Sequence, residues 1–92
     1  MTDTAPLVLS DDTRTMLNRL ADRLDSHRPH AVMVEPTRLA QALVLAEQIH
    51  GPTEAAFTAE QGFLAIAPPV RDKQTRGEYA ALLRLIAQGV TP

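Results

Sequence analysis

The sequence contains no cysteine and no tryptophan, and its only aromatic residues are one tyrosine and two phenylalanines. Without cysteine the chain cannot form a disulfide, a thiolate zinc site or a thiol nucleophile. With so few aromatic side chains, the core has to be built from alanine, leucine, valine and isoleucine. Because a chain of 92 residues with small core residues gains limited stability from burial, this composition favours a second chain as a source of buried surface.

Lysine is also scarce, and long apolar runs are missing. Lys73 is the only lysine and the formal net charge is −2, which argues against a nucleic-acid binder because such proteins usually have a basic face. No apolar run approaches the ~20 residues of a membrane span. The N-terminal segment MTDTAPLVLS carries an acid where a signal peptide has positive charge. We therefore expect a cytoplasmic protein without a membrane segment, and the preference for arginine over lysine suggests a bacterial or phage source.

Residues 35–52 (EPTRLAQALVLAEQIHGP) form the segment around which the rest of the chain has to fit. Pro36 suits the first turn of a helix, and Gly51 followed by Pro52 is a strong stop signal. One apolar stripe of this helix is formed by Leu39, Ala42, Leu43, Ala46 and Ile49. Ala40 and Val44 lie on the opposite side, so both sides require cover. We predict a central helix packed between other elements or between two copies of the chain.

The other segments predict a mixed fold. Ser10 is a good N-cap for one helix, and Thr75 with Glu78 forms a capping box for the last one. Residues 30–35 predict a short strand, and residues 56–60 and 63–67 predict a β-hairpin around a turn at 61–62. A competing interpretation makes residues 53–61 a short helix that ends at Gly62.

From these elements we predict one α+β domain over residues 10–92, preceded by a flexible N-terminal arm at residues 1–9. Its elements follow in the order helix, short strand, buried helix, β-hairpin, helix. The strands are expected to form a small antiparallel sheet with the helices packed on one face.

The C-terminal segment FLAIAPPVRDKQTRGEYAALLRLI combines a predicted strand, a proline-containing loop and a leucine-rich helix. This arrangement resembles the end of small acidic type III secretion chaperones, over less than a third of the chain. The resemblance implies a dimeric α+β protein that binds unfolded segments of other proteins. It assigns no function to any individual residue.

No residue pattern indicates catalysis, a cofactor or a metal. Glu47 and His50 have the E-x-x-H spacing of di-iron bundles, but such a site needs the motif twice and the chain has it once. His27 and His30 alone are too few ligands for a site. The glycines are scattered singly, so no phosphate-binding loop is present. We predict that the protein is not an enzyme and has no cofactor or metal ligand.

These observations predict a small non-catalytic protein–protein interaction module, a homodimer that acts as a regulator, an inhibitor or a chaperone-like adaptor. The predicted partner-binding residues are Ala40, Val44, Phe63 and Leu85. The alternative is a small DNA-binding transcriptional regulator with a winged or helix-turn-helix-like fold. In that case Arg71, Lys73 and Arg76 would contact phosphates. Nucleic acid is the less favoured partner because the net charge is negative.

Overall fold

The computed structural model describes residues 9–89, and within them the chain forms four α-helices and no β-strand. The helices are α1 (Asp11–Ser26), α2 (Glu35–His50), α3 (Glu54–Ile66) and α4 (Arg76–Ala87). The predicted α+β class is therefore wrong, because the described part of the chain is a small all-helical bundle. Apart from Leu9, which is buried against the core, the predicted arm lies outside the described residues.

Three of the helices begin at a residue whose side chain caps them. The hydroxyl oxygen of Ser10 accepts a hydrogen bond from the Thr13 amide at 3.1 Å, and that of Thr53 accepts one from Ala56 at 3.3 Å. At α4 the predicted capping box is confirmed, with Thr75 and Glu78 each accepting from the other's amide. These caps satisfy amides that have no partner within the helix, which explains why the helices start where they do.

The β-hairpin predicted at residues 56–60 and 63–67 is wrong, because these residues belong to helix α3 and its C-cap, Ala67. Its buried residues Ala56, Ala59 and Phe63 recur every three or four positions, which is the helical period rather than the alternation of a strand. The alternative prediction, a short helix over residues 53–61, is closer to the structure, but α3 continues through Gly62. A glycine inside a helix costs roughly 0.5–1 kcal/mol relative to alanine, whereas burying a phenylalanine stabilises by about 1.5–3 kcal/mol. Packing of Phe63 therefore outweighs the local preference for a turn.

The resemblance to type III secretion chaperones depends on a strand at residues 63–67. That strand is not formed, because these residues belong to α3 and its C-cap. The strand predicted at residues 30–35 is reduced to one isolated antiparallel bridge between Val32 and Thr75. Next to this bridge, the Met33 amide donates to the Gln74 carbonyl at 2.7 Å. This short contact ties the α1–α2 connection to the start of α4 without building a sheet.

The central helix of the bundle is α1, not α2 as the sequence predicted. α1 packs against all three other helices, α2 packs mainly against α3, and α4 packs against α1 alone. The largest fully buried side chains are Met16, Leu17, Leu20, Leu24, Met33, Leu45, Phe63, Tyr79, Leu83 and Ile86. α2 therefore lies at an edge of the bundle, and one of its sides has no helix against it. None of the described helices has the length and apolar character needed to cross a bilayer.

Candidate functional site

The outer side of α2 carries a contiguous apolar surface formed by Leu39, Ala40, Leu43 and Val44, which we call the α2 face. All four residues are exposed, and the three larger side chains expose 47%, 44% and 40% of their surface. Their spacing places them on adjacent turns of one side of the helix. Isolated exposed apolar residues are common on proteins, whereas a contiguous group is a candidate interaction surface.

Two polar side chains of α2, those of Gln41 and Gln48, are turned toward α1 and away from the α2 face. The guanidinium of Arg23 donates to the amide oxygen of Gln41 at 2.8 Å and to that of Gln48 at 2.9 Å. Both glutamines lie on the side of α2 opposite Leu39 and Leu43. The two hydrogen bonds fix the rotation of α2 about its axis, so the leucines point outward.

A buried arginine fixes α2 against α3. Arg38 is only 7% exposed, and it donates to the carbonyl of Leu64 at 3.0 Å and to that of Ala67 at 2.7 Å. The last carbonyls of a helix have no partner within that helix, so Arg38 supplies donors that the end of α3 needs. It also pairs with Glu35 at 2.5 Å. The Arg38 Nε is buried without a hydrogen-bond partner among the described residues. Arg38 therefore has a structural role.

Two further polar side chains hold the α3–α4 connection. Glu35 accepts a hydrogen bond from the Val70 amide at 3.0 Å, and the Tyr79 hydroxyl donates to the Pro68 carbonyl at 2.6 Å. Burial raises the pKa of Tyr79 to about 12, although the nearby Arg38 guanidinium acts in the opposite direction. Because these groups bind backbone atoms, they stabilise the fold and do not form a reactive cluster.

Phe57 is a further exposed apolar residue, on α3. Its side chain is 62% exposed, the largest fraction among the large apolar residues that the structure describes. Helical spacing places Phe57 away from Gly62, which lies on the flank of α3 next to α1. Leu39 and Leu43 also lie on the flank of α2 that turns away from α1. Phe57 and the α2 face therefore share one side of the α2–α3 pair.

The four predicted partner-binding residues do not form one surface. Ala40 and Val44 belong to the α2 face. Leu85 is 45% exposed, but it lies on α4, which packs on α1. The prediction that Phe63 binds a partner required it to be exposed on the β-hairpin, but Phe63 is fully buried on the inner side of α3. Only the two α2 residues are brought together.

The sequence predicts that Leu39 and Leu43 lie on a buried stripe of α2. In the structure both side chains are exposed. The buried residues of α2 are Arg38, Ala42, Leu45 and Ala46. An inward arginine is hard to foresee because its acceptors, the carbonyls of Leu64 and Ala67, come 26 and 29 residues later in the chain. The available signal was the polar pair Gln41 and Gln48, which required a partner on the same side.

The three cations of the DNA-binding alternative lie on different surfaces. Arg71 and Lys73 line a cavity of about 500 Å³ that also contains Asp72, Glu78 and Leu85. Arg76 lines a separate cavity. Because acidic residues share the first cavity, these cations do not form a continuous basic strip for a phosphate backbone. The hairpin that would have formed a wing is helix α3.

The histidines do not form a metal site in residues 9–89. His50 Nε2 lies 2.7 Å from Asp12 Oδ2, so this contact joins the end of α2 to the start of α1. Both residues sit where the helix dipole favours their charge, His50 at a C-terminus and Asp12 at an N-terminus. No three histidine, aspartate or glutamate side chains of the described chain are grouped as metal ligands.

No protein-family model, curated protein or solved structure matches this chain, so no function is transferred to it. The α2 face is therefore the feature of the described chain from which a function has to be inferred.

Proposed function

We propose that the protein is a small non-catalytic interaction module that forms a homodimer through the α2 face. The observation that carries this proposal is the group of four apolar side chains on one side of α2 without cover from another helix. Fully burying a leucine or valine side chain stabilises by roughly 1.5–3 kcal/mol, and a second chain is the source of such burial that a short polypeptide can use.

A second copy of the chain suits the α2 face because the face can be complementary to itself. Glu47 is the only charged residue on this side of α2, and it lies near the C-terminal end. If two α2 helices pack antiparallel about a twofold axis near residues 40–44, the two Glu47 side chains lie at opposite ends, about 15 Å apart along the axis. A parallel arrangement would place the two carboxylates side by side. Ala40, at the centre, allows the two helices to approach closely.

The dimer would leave Leu85 of α4 exposed, since α4 lies on the other side of α1. We propose this region as the contact for a further protein partner. The role of such a dimer would be that of a regulator, an inhibitor or an adaptor.

Mass measurement in solution tests the homodimer. We expect sedimentation equilibrium at high micromolar concentration to give twice the chain mass of 10.0 kDa. Val44→Glu places a charge within the α2 face, so we expect a folded monomer with unchanged helix content. Leu85→Glu is the matched control, because it introduces the same charge at a similarly exposed position on α4 and should remain dimeric.

Two results would contradict the proposal. One is an unmodified chain that stays monomeric at these concentrations. The other is a Val44→Glu variant that unfolds, because that outcome would place Val44 in the core.

Engineered cysteines test the antiparallel arrangement, since the natural chain has none. A disulfide requires Cα atoms within about 7 Å, so Ala40→Cys should cross-link readily under mild oxidation and Glu47→Cys slowly. Equal cross-linking at both positions would contradict an antiparallel dimer.

A further inference from the structure

A cavity of about 420 Å³ lies where the end of α1, the middle of α2 and the start of α4 meet. We call it the arginine pocket, and it is lined by Asp22, Arg23, Ser26, His27, Gln41 and Arg76. It lies on the Gln41 side of α2, away from the α2 face. Its volume falls within the ~300–1,000 Å³ range of small-molecule sites.

The two arginines of this pocket are bound only to neutral groups. Arg23 donates to the amide oxygens of Gln41 and Gln48, and the Nε of Arg76 donates to the His27 carbonyl at 2.8 Å. Neither guanidinium forms an ion pair within residues 9–89. The pocket therefore contains two positive charges that come from different helices and have no acidic partner.

The acidic residue of the pocket shares one guanidinium with a second carboxylate. Asp22 accepts a hydrogen bond from Arg84 at 3.0 Å, and Arg84 also pairs with Asp25. The C-terminus of α1 adds the equivalent of about half a negative charge. The three guanidiniums of Arg23, Arg76 and Arg84 exceed the two carboxylates and this partial charge by a small margin, so the pocket retains a weakly positive potential.

We infer that the arginine pocket binds a small organic phosphate. Guanidinium groups present planar pairs of N–H donors that match phosphate oxygens, and two of them suit a dianion better than a single carboxylate. The oxygen of Gln41 is held by Arg23, which leaves the amide N–H₂ group available as a third donor. The cavity is larger than a phosphate ion occupies, so an organic group attached to the phosphate has room beside it. This inference does not depend on the proposed dimer.

Binding can be measured on the unmodified protein with phenyl phosphate as the probe. In a two-dimensional NMR titration we expect saturable shifts of the amides of residues 22–27, 41 and 76. Inorganic phosphate should bind more weakly, benzoate more weakly than phenyl phosphate, and benzyl alcohol not detectably. Absence of saturable shifts at millimolar phenyl phosphate, or shifts confined to other residues, would overturn the inference.

Matched arginine variants separate a specific pocket from general charge attraction. Arg76→Gln should weaken binding of phenyl phosphate at least about tenfold, because it removes a charged donor pair. Arg71→Gln removes an equal charge from a different cavity and should change binding less than about twofold. Equal weakening by both variants would contradict a built site. Arg23→Lys keeps the positive charge but loses the planar pair of N–H donors, so it should weaken binding of phenyl phosphate about threefold or more. This variant tests the pocket independently if Arg76→Gln is unfolded.

Discussion

Helices α1 and α2 both have 16 residues, but they expose opposite kinds of side chain. α1 buries its whole apolar stripe, including Leu20 and Leu24, and exposes charged residues. α2 buries Arg38 and exposes Leu39, Leu43 and Val44. The reason is position: α1 is surrounded by three helices, whereas α2 lies at an edge of the bundle. Burial of an apolar side chain thus depends on the neighbours available as much as on its own hydrophobicity.

The comparison also shows how polar contacts select which apolar side is buried. α2 has apolar residues on two sides, and its neighbours can cover only one of them. The hydrogen bonds of Arg23 to two glutamines and of Arg38 to the end of α3 are formed in one rotation of α2. An uncovered apolar face is the consequence of that rotation.

The largest expected effect is the contrast between a core leucine of α1 and an outer leucine of α2. Leu20→Ala should lower the free energy of unfolding by about 2–5 kcal/mol, because Leu20 is fully buried. Leu43→Ala should lower it by less than about 1 kcal/mol at protein concentrations low enough to give a monomer. Urea denaturation of both variants checks the difference, and equal losses would refute the assignment of Leu43 to an outer face.

Arg38→Met tests the role of Arg38 in orienting α2, because it removes the guanidinium and keeps most of the side-chain volume. We expect a loss of about 2–3 kcal/mol, because two carbonyls at the end of α3 lose their donor. Arg19→Met, at an exposed arginine of α1, is the control and should change stability by no more than about 0.5 kcal/mol. Thermal and urea denaturation of the two variants should therefore differ, and a neutral Arg38→Met would show that the buried arginine does not hold α2.

Stability should decrease in alkali through Tyr79. Because burial raises its pKa from 10.0 to about 12, the folded chain holds the phenolic proton more tightly than the unfolded chain. This contribution is complete below pH 10 and is lost as the pH rises from 10 to about 12. After solvent screening it amounts to about 1–2 kcal/mol. Urea denaturation between pH 8 and pH 12 measures it, and Tyr79→Phe should lack this pH dependence. A variant that retained it would assign the effect to another group.

The smallest expected effect distinguishes a helix from a turn at Gly62. A side chain added there would meet only Thr13 Oγ1, at an ordinary 3.7 Å. In a helix, Gly62→Ala should therefore raise the free energy of unfolding by about 0.5–1 kcal/mol. If residues 61–62 formed a hairpin turn that needs a positive φ, the same substitution would destabilise the protein. Differential scanning calorimetry of the two chains gives the sign.

Local sequence signals predict most helix ends correctly. In one segment in the middle of the chain they predict the wrong secondary structure. The cap at Ser10, the capping box at Thr75 and the stop at Gly51 are all confirmed. Residues 56–67 are predicted as a β-hairpin, although they belong to a helix and its C-cap, because two short apolar runs around Gln61 and Gly62 fit a hairpin as well as a helix. Phe63 was consequently assigned to the surface, although it lies in the core.

The sequence by itself determined where three of the four helices begin and which side of α1 is buried. Caps act within three residues of the chain, and the apolar residues of α1 form a single stripe with charges around it. Only the tertiary structure decided which side of α2 faces outward, because the groups that orient it belong to α1 and α3. It also decided that Arg23 and Arg76 meet in one pocket, since 53 residues of chain separate these two side chains and only the packing of α1 against α4 brings them together.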